Sequence, residues 1–188
     1  VQLPMSLRTG RLTLRQLTAA DLPVLVREIG RWEVAQWLIH VPHPYSMADA
    51  EGWLAITCAR RGTGTLLHLV AVPDGGAEMI GAIGLDMAAG GEGEAELGYW
   101  LSPASWGQGL GTEMAQAMVA CGFRDVGLSA IEAAVDPMNH ASNNVLKKAG
   151  FRIVRVDPLH PRGLRGGPAP ANIHRITRTA FEANHDHA

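Results

Sequence analysis

Between Trp100 and Met114 the chain reads WLSPASWGQGLGTEM. A strand ends there, Pro103 turns the backbone, and Gly107, Gly109 and Gly111 open a helix whose apolar stripe is Leu110, Met114, Ala117, Met118 and Cys121. Glycines let main chain approach a ligand closely and adopt positive φ, while the free N–H groups and dipole of a first helical turn favour negative charge. The segment therefore predicts a strand, an anion cradle and a helix in immediate succession. A tight turn onto a helix, holding nothing, would make the same pattern. Two other phosphate loops fit less well. A Walker loop needs Lys and Ser or Thr after its last glycine, where this chain has Thr112 and Glu113. The dinucleotide fingerprint needs G-x-G-x-x-G, and the third glycine here comes one place early, although Glu132 lies where a ribose-binding acid would fall.

The flanking segments supply the rest of an α/β architecture. Before the glycines, LTLRQ (Leu12 to Gln16) alternates as a strand, and Thr18 with Asp21 starts a helix that Gly30 closes. Helical spacing continues through Trp32 to Leu38 and, after a Pro-rich link, from Met47 to about Arg60. Three strands follow: Leu66 to Val72, Glu78 to Met87 across a PDGGA turn, and Glu94 to Leu101. After the glycine helix come a strand, AIEAAV, and a short helix with Asn139 as N-cap and Gly150 past its end. Phe151 to Val156 reads as a strand and Asp157 to Asn172 as a long irregular connection rich in Pro and Gly. Ile173 to Thr179 reads as the last strand, followed by a frayed tail, EANHDHA. The tally predicts one domain of 188 residues folded as a three-layer α/β sandwich.

Composition narrows the classes that remain. At 47% hydrophobic and 18% charged residues the chain is neither disordered nor fibrous, and no apolar run reaches membrane-helix length. No apolar segment follows Arg8, Arg11 and Arg15, so no secretory signal is read and the cytoplasm is the expected compartment. Cys58 and Cys121 have no disulfide or zinc spacing and are expected as buried thiols. His40, His43, His68, His140 and His174 lack metal-ligand spacing, so no metal is expected. A net charge of −2 gives no global field for nucleic acid, which is not an expected partner. The stretch Lys147 to Arg178 is locally basic, with eight cations against Asp157. It reads as a phosphate contact or as a solvated loop.

WGQGLGTEMA followed by VDPMNHASNNVLKKAGF resembles the GNAT superfamily of acetyl-CoA-dependent N-acetyltransferases. The opening TGRLTLRQLTAADLP is similar to its RimJ/RimL-like branch, which acetylates N-terminal residues of ribosomal proteins. The resemblance runs from about Leu7 to Phe181 with its blocks in order. It departs at Trp106, where the family loop begins with Arg or Gln, and at Lys147, where Glu is more usual. It implies a GNAT-like acyl-CoA N-acyltransferase fold with a central mixed, mostly antiparallel sheet.

The same resemblance implies the site. Backbone amides of Gln108, Gly109, Leu110, Gly111 and Thr112 would cradle a pyrophosphate. Those of Tyr99, Trp100 and Leu101 would pair with the pantetheine arm and the thioester carbonyl, preorganised for an oxyanion. Glu96 would take a proton from the acceptor ammonium, directly or through water. Ser142, in NHAS, would protonate the departing thiolate, and Asn139 would hydrogen-bond the cofactor. Each has a plainer reading: Glu96 as one of three alternating surface carboxylates with Glu92 and Glu94, and Asn139 and Ser142 as helix-start residues bonded locally. Trp32, Trp37 and Trp53 read as core, with Trp37 and Tyr45 as alternative borders of an acceptor groove. Arg162 and Arg165 read as a mobile surface loop or as guides for an acidic partner or ribosomal RNA. The acceptor is an amine, either a small molecule or a protein N-terminus, with no membrane partner. An exposed last strand could pair edge to edge in a homodimer. An acyl-CoA-binding sensor without transfer, and a small NAD(P)-binding protein, are the competing functions.

Overall fold

The structure, a computed structural model, describes residues 3–89 and 92–185. Its centre is one eight-stranded sheet in the order β1-β2-β3-β4-β5-β6-β8-β7. The strands are β1 (Ser6–Arg8), β2 (Leu12–Arg15), β3 (Leu66–Pro73), β4 (Gly81–Asp86), β5 (Glu94–Leu101), β6 (Ala130–Val135), β7 (Arg152–His160) and β8 (Ala169–Thr177). Every neighbouring pair is antiparallel except β5 and β6, which run parallel. A mostly antiparallel sheet that begins with hairpins is not the doubly wound dinucleotide fold, and that alternative falls with it.

Helices cover both faces. On one lie α1 (Leu22–Ile29), α2 (Trp32–Ala35) and α3 (Met47–Gly62); on the other, α4 (Leu110–Cys121), α5 (His140–Lys148) and α6 (Arg178–His185). The alternation along β3 divides the core between them: Leu67, Leu69 and Ala71 face α4 and α5, while Val70 and Val72 pack with Leu22, Leu25 and Ile29. This is the three-layer sandwich that the periodicities predict. The N-terminal signals also act as read. Asp21 accepts from the Thr18 N–H and hydroxyl and from both terminal nitrogens of Arg15, fixing the entry to α1. Ser46 and Asp49 form the reciprocal box at the start of α3.

Several expectations are corrected. The segment Asp157 to Asn172 is mostly strand: β7 extends to His160, β8 starts at Ala169, and only their connection is irregular. The last strand is therefore not an edge; β8 lies between β6 and β7, and β7 is the edge. Glu182 to Asn184 are not frayed but helical in α6, while Asp186 and His187 of the terminal HDH lie outside the described residues. The strand expected from Glu78 begins at Gly81, and β1 was not anticipated. Cys58 is exposed, and only Cys121 is buried. Trp32 is exposed too, its ring lying against His43 and under the Arg165 guanidinium. No helix among the described residues is long and apolar enough to cross a membrane.

Candidate active site

The parallel ladder between β5 and β6 is short. Glu94, Ala95 and Glu96 pair with Ala130, Ile131 and Glu132, and beyond Glu96 the two strands separate. On its other side β5 stays paired with β4 as far as Leu101. From Leu97 onward, main-chain groups on the β6 side of β5 thus face an opening inside the sheet rather than another strand.

The glycine turn sits at the far end of this opening. Gly107 and Gly109 take φ of 73° and 78°, a left-handed conformation that a side chain resists. The first helical bond of α4 runs from the Glu113 N–H to the Gly109 carbonyl, leaving the amides of Leu110, Gly111 and Thr112 without intrahelical acceptors. The turn is braced from several sides. The Trp106 indole N–H donates to the Leu101 carbonyl at 2.8 Å, and the Gln108 amide to the Ala104 carbonyl at 2.9 Å. Arg11 donates to the Gln108 carbonyl at 2.9 Å and to the Glu113 carboxylate at 2.8 Å, while Thr9 also donates to that carboxylate. A Cβ on Gly111 would stand 3.3 Å from Val145 and 3.5 Å from Leu101, so α4, α5 and the end of β5 converge here. The Trp100 side chain packs into the opposite core, which leaves its main chain as the part able to face the opening.

Glu96, Tyr99, Asn139 and Ser142 line a single cavity of about 250 Å³. The Tyr99 and Ser142 hydroxyls are 2.7 Å apart, and Tyr99 also donates to the Ser142 carbonyl at 3.2 Å. Burial pushes the Tyr99 phenol up to about 12, against a smaller opposing effect of the Ser142 hydrogen bond, so it is neutral near pH 7. Asn139 acts as the N-cap of α5, its Oδ1 accepting from the Ser142 N–H at 3.1 Å. Asn143 then ties this helix start to the sheet: it donates to the Asp136 and Asn139 carbonyls, and its Oδ1 accepts from Asn172 and His174.

Among the described residues, the Glu96 carboxylate has no hydrogen-bond or ion-pair partner, unlike its neighbours on the same face. Arg175 pairs with Glu94 at 2.6 Å and with Glu132 at 2.8 Å, and Arg60 pairs with Asp86 at 2.6 Å. Glu96 opens onto the cavity, yet the surrounding walls desolvate its carboxyl and raise its pKa. His160 and His40 oppose that rise; Asp86 and Glu132 reinforce it. The register thus separates the three alternating glutamates. Glu92 precedes the strand, Glu94 is committed to Arg175, and Glu96 alone faces the cavity unpaired.

The remaining wall joins distant segments. Gln36 to Val41, including Trp37 and His40, face His160, Pro161 and Arg162 across the cavity. Arg165 is anchored rather than free: it donates to the Ala35 carbonyl at 2.7 Å and to the Val41 carbonyl, while the Leu164 N–H reaches the Ile39 carbonyl at 2.8 Å. Gly163, at φ 52°, makes this approach possible, because a Cβ there would run into the Ile39 carbonyl. Arg162 lies 3.7 Å from Asp136. These contacts join the two stretches, Trp32 to Ser46 and Asp157 to Asn172, that the family resemblance implies for an acceptor groove, and they add His160, which the sequence does not single out. Among the described residues no cluster of three or more His, Cys, Asp or Glu side chains could hold a metal.

The acetyltransferase (GNAT) domain family matches residues 11–152, and the chain belongs to that family: it is an N-acetyltransferase. It is 31% identical over 151 residues to the uncharacterized N-acetyltransferase YoaA of Bacillus subtilis, covering 78% of this chain and 82% of that protein. Among solved structures, it is similar to Mycobacterium smegmatis RimJ in complex with CoA-disulfide, with a TM-score of 0.79 at 21% identity over 95% of this chain and 92% of that one. It is also similar to AAC(6')-Ib in complex with ribostamycin and coenzyme A, with a TM-score of 0.77 at 26% identity over 94% of this chain and 99% of that one.

Proposed function

We propose that the chain transfers an acetyl group from acetyl-CoA directly to a primary amine, without a covalent acyl-enzyme. The observation that carries this reading is the divergence of β5 from β6 immediately beyond Glu96, with the glycine turn at one end of the opening and the cavity at the other. The residues fit the cofactor. Unpaired main chain from Tyr99 to Leu101 would hold an extended pantetheine, and the amides of Gln108 to Thr112 would take the pyrophosphate. Acetyl-CoA supplies an activated thioester carbonyl. Glu96 accepts the proton that the acceptor ammonium must lose before its nitrogen can attack that carbon. As the new C–N bond forms, the nitrogen gives up its second proton to solvent, and as the C–S bond breaks, the Ser142 hydroxyl supplies a proton to sulfur. Tyr99, within hydrogen-bond distance of Ser142, replenishes that proton and regains its own from solvent. Main-chain N–H groups of the opening stabilise the oxyanion between these events.

The acceptor enters from the side of Trp37, His40 and His160, presenting its ammonium to Glu96 and Asp136. A compact polyamine, as in the ribostamycin complex of AAC(6')-Ib, and a protein N-terminus, as the RimJ/RimL-like opening segment suggests, both present the required group. The RimJ/RimL-like assignment rests on that opening segment, and it and a cytoplasmic site of action belong to this proposal.

Titration calorimetry with acetyl-CoA, desulfo-CoA and NADH offered separately tests the cradle before any acceptor is known. Micromolar binding of both CoA ligands, about −8 kcal/mol, without NADH supports the reading. Absence of CoA binding overturns it. A panel of aminoglycosides, polyamines and N-terminal peptides, scored by thiol release, then identifies the acceptor. CoA binding with no turnover on any amine, and no hydrolysis, would favour an acyl-CoA sensor instead.

A further inference from the structure

The two edges of the sheet differ sharply. β1 is three residues long, whereas β7 is nine, and among the described residues no strand lies on its outer side. Arg152 to Val156 are all exposed, and the apolar side chains along β7 are bare: Ile153 at 52%, Val154 at 52%, Val156 at 57% and Leu159 at 71%. A long aliphatic edge of this kind is a template for another strand. Its pairing with β8 is irregular between Ile153 and Arg155 and again between Asp157 and His160. Between these irregularities Arg155, Val156 and Asp157 keep an unbroken register against Ile173, Asn172 and Ala171. Arg155 and Asp157 therefore project from one face of the sheet and Val156 from the other.

Symmetry restricts how this edge can meet a copy of itself. In an antiparallel pair, residues directly opposite share a face, so a two-fold axis perpendicular to the sheet must set one residue against its own copy. Centring on Arg155 or on Asp157 opposes like charges. Centring on Val154 would need Arg155 against Ile153, which the irregularity between them places on opposite faces. Centring on Val156 places Val156 against Val156, Arg155 against the partner's Asp157 and Ile153 toward the partner's Leu159. Among these centres, the last matches opposite charges, opposes no like ones and covers the bare aliphatics on both copies. Pro158 has no N–H to offer, which confines the ladder to the regular segment around Val156.

We infer that the chain forms a homodimer through β7, antiparallel about Val156, joining two eight-stranded sheets into one. The interface sits next to the cavity: β7 leads without interruption into His160, Pro161 and Arg162, which form part of its wall. Self-association therefore steadies one side of each acceptor groove from outside.

Sedimentation velocity on the full chain at micromolar concentrations tests the inference. The unmodified protein sediments as a dimer. Arg155→Asp and Asp157→Arg each create two like-charge oppositions and weaken the dimer by about tenfold or more. The double variant Arg155→Asp/Asp157→Arg reverses both pairs and restores it. Circular dichroism melts on all three variants separate loss of pairing from loss of fold, and the restored double variant provides the internal control. A chain that is monomeric at tens of micromolar overturns the inference. So does a dimer indifferent to both single reversals, or a double variant no tighter than the singles.

Discussion

The hydroxyl groups of Tyr99 and Ser142 stand 2.7 Å apart, linking the strand that ends in the opening to the first turn of α5. Two residues 43 apart in sequence are thus joined by a hydrogen bond in which either hydroxyl can donate. If this pair serves the departing thiolate, Ser142→Ala and Tyr99→Phe each lower kcat by about 10²-fold with little change in the Kd for CoA. The double variant falls well short of the product of the two, because the residues act as one unit. Steady-state kinetics alongside calorimetry decides. Additive losses, or a matching loss of CoA affinity, would show that the two side chains merely support the cofactor.

If Glu96 is the proton acceptor, Glu96→Gln lowers kcat/KM by about 10²-fold or more near neutral pH. The acid limb of the pH profile carries the finer prediction. Arg175 pairs with Glu94 and Glu132 beside Glu96, so Arg175→Met leaves Glu94 without its partner and Glu132 with Arg155 at 3.5 Å, raises the Glu96 pKa further and moves the limb to higher pH. Glu132→Gln removes a charge that raises it and moves the limb to lower pH. Opposite shifts from two residues of one ion pair are not expected from a general loss of fold. A limb that stays in place in both variants counts against Glu96 as the titrating base.

Gly109→Ala imposes a side chain on a φ of 78°, a cost of about 1–2 kcal/mol. The backbone can escape that strain only by moving the cradle. Calorimetry with acetyl-CoA should show an affinity weaker by about tenfold, with acceptor KM unchanged at saturating cofactor. Equal affinity in the variant would mean that the turn does not hold the pyrophosphate.

Arg165→Met releases the strap from the Ala35 and Val41 carbonyls while keeping much of the apolar stem over Trp32. The expected result is an acceptor KM several-fold higher, CoA affinity unchanged, and faster proteolytic nicking between His160 and Ala169. Kinetics and limited proteolysis identical to the parent would remove the strap from the account of the groove.

His68 provides a stability test away from the site. Its Nδ1 is buried without a partner, its ring meets Trp53 edge-on, and burial lowers its pKa to about 4. The folded state therefore favours the neutral ring. This contribution is intact above the unfolded value near 6.5 and is lost progressively as pH falls from there toward 4. His68→Leu should flatten the decline of Tm over that interval, as read by thermal melts at stepped pH. An unchanged slope would assign the acid lability elsewhere.

The elements that build the opening were legible because their signals are local. β5 and β6 match the alternation to the residue, and the glycine turn announces the start of α4. The β7–β8 hairpin was not legible in full. Pro158, Pro161, Pro168 and Pro170, with three glycines between them, read as irregular chain, whereas pairing against β6 and within the hairpin draws the backbone into strand nearly to the loop. The anchoring role of Arg165 and the place of His160 were not legible for a related reason. The Arg165 acceptors lie 124 and 130 residues away, beyond the reach of any periodicity. Among the three glutamates near β5 the choice was likewise invisible locally, because it depends on Arg175 arriving from β8.

A strand that loses its neighbour partway along is, in energetic terms, a sheet left one strand short over that length. Whatever occupies the space beside β5 beyond Glu96 must be narrow, extended and able to exchange hydrogen bonds with peptide groups. Those groups are the same in every sequence. Side chains along this rim are then free to change without altering what the rim can bind, and in the proposed reaction selectivity between acceptors passes to residues that line the cavity from other parts of the chain, such as Trp37, His40 and Arg162.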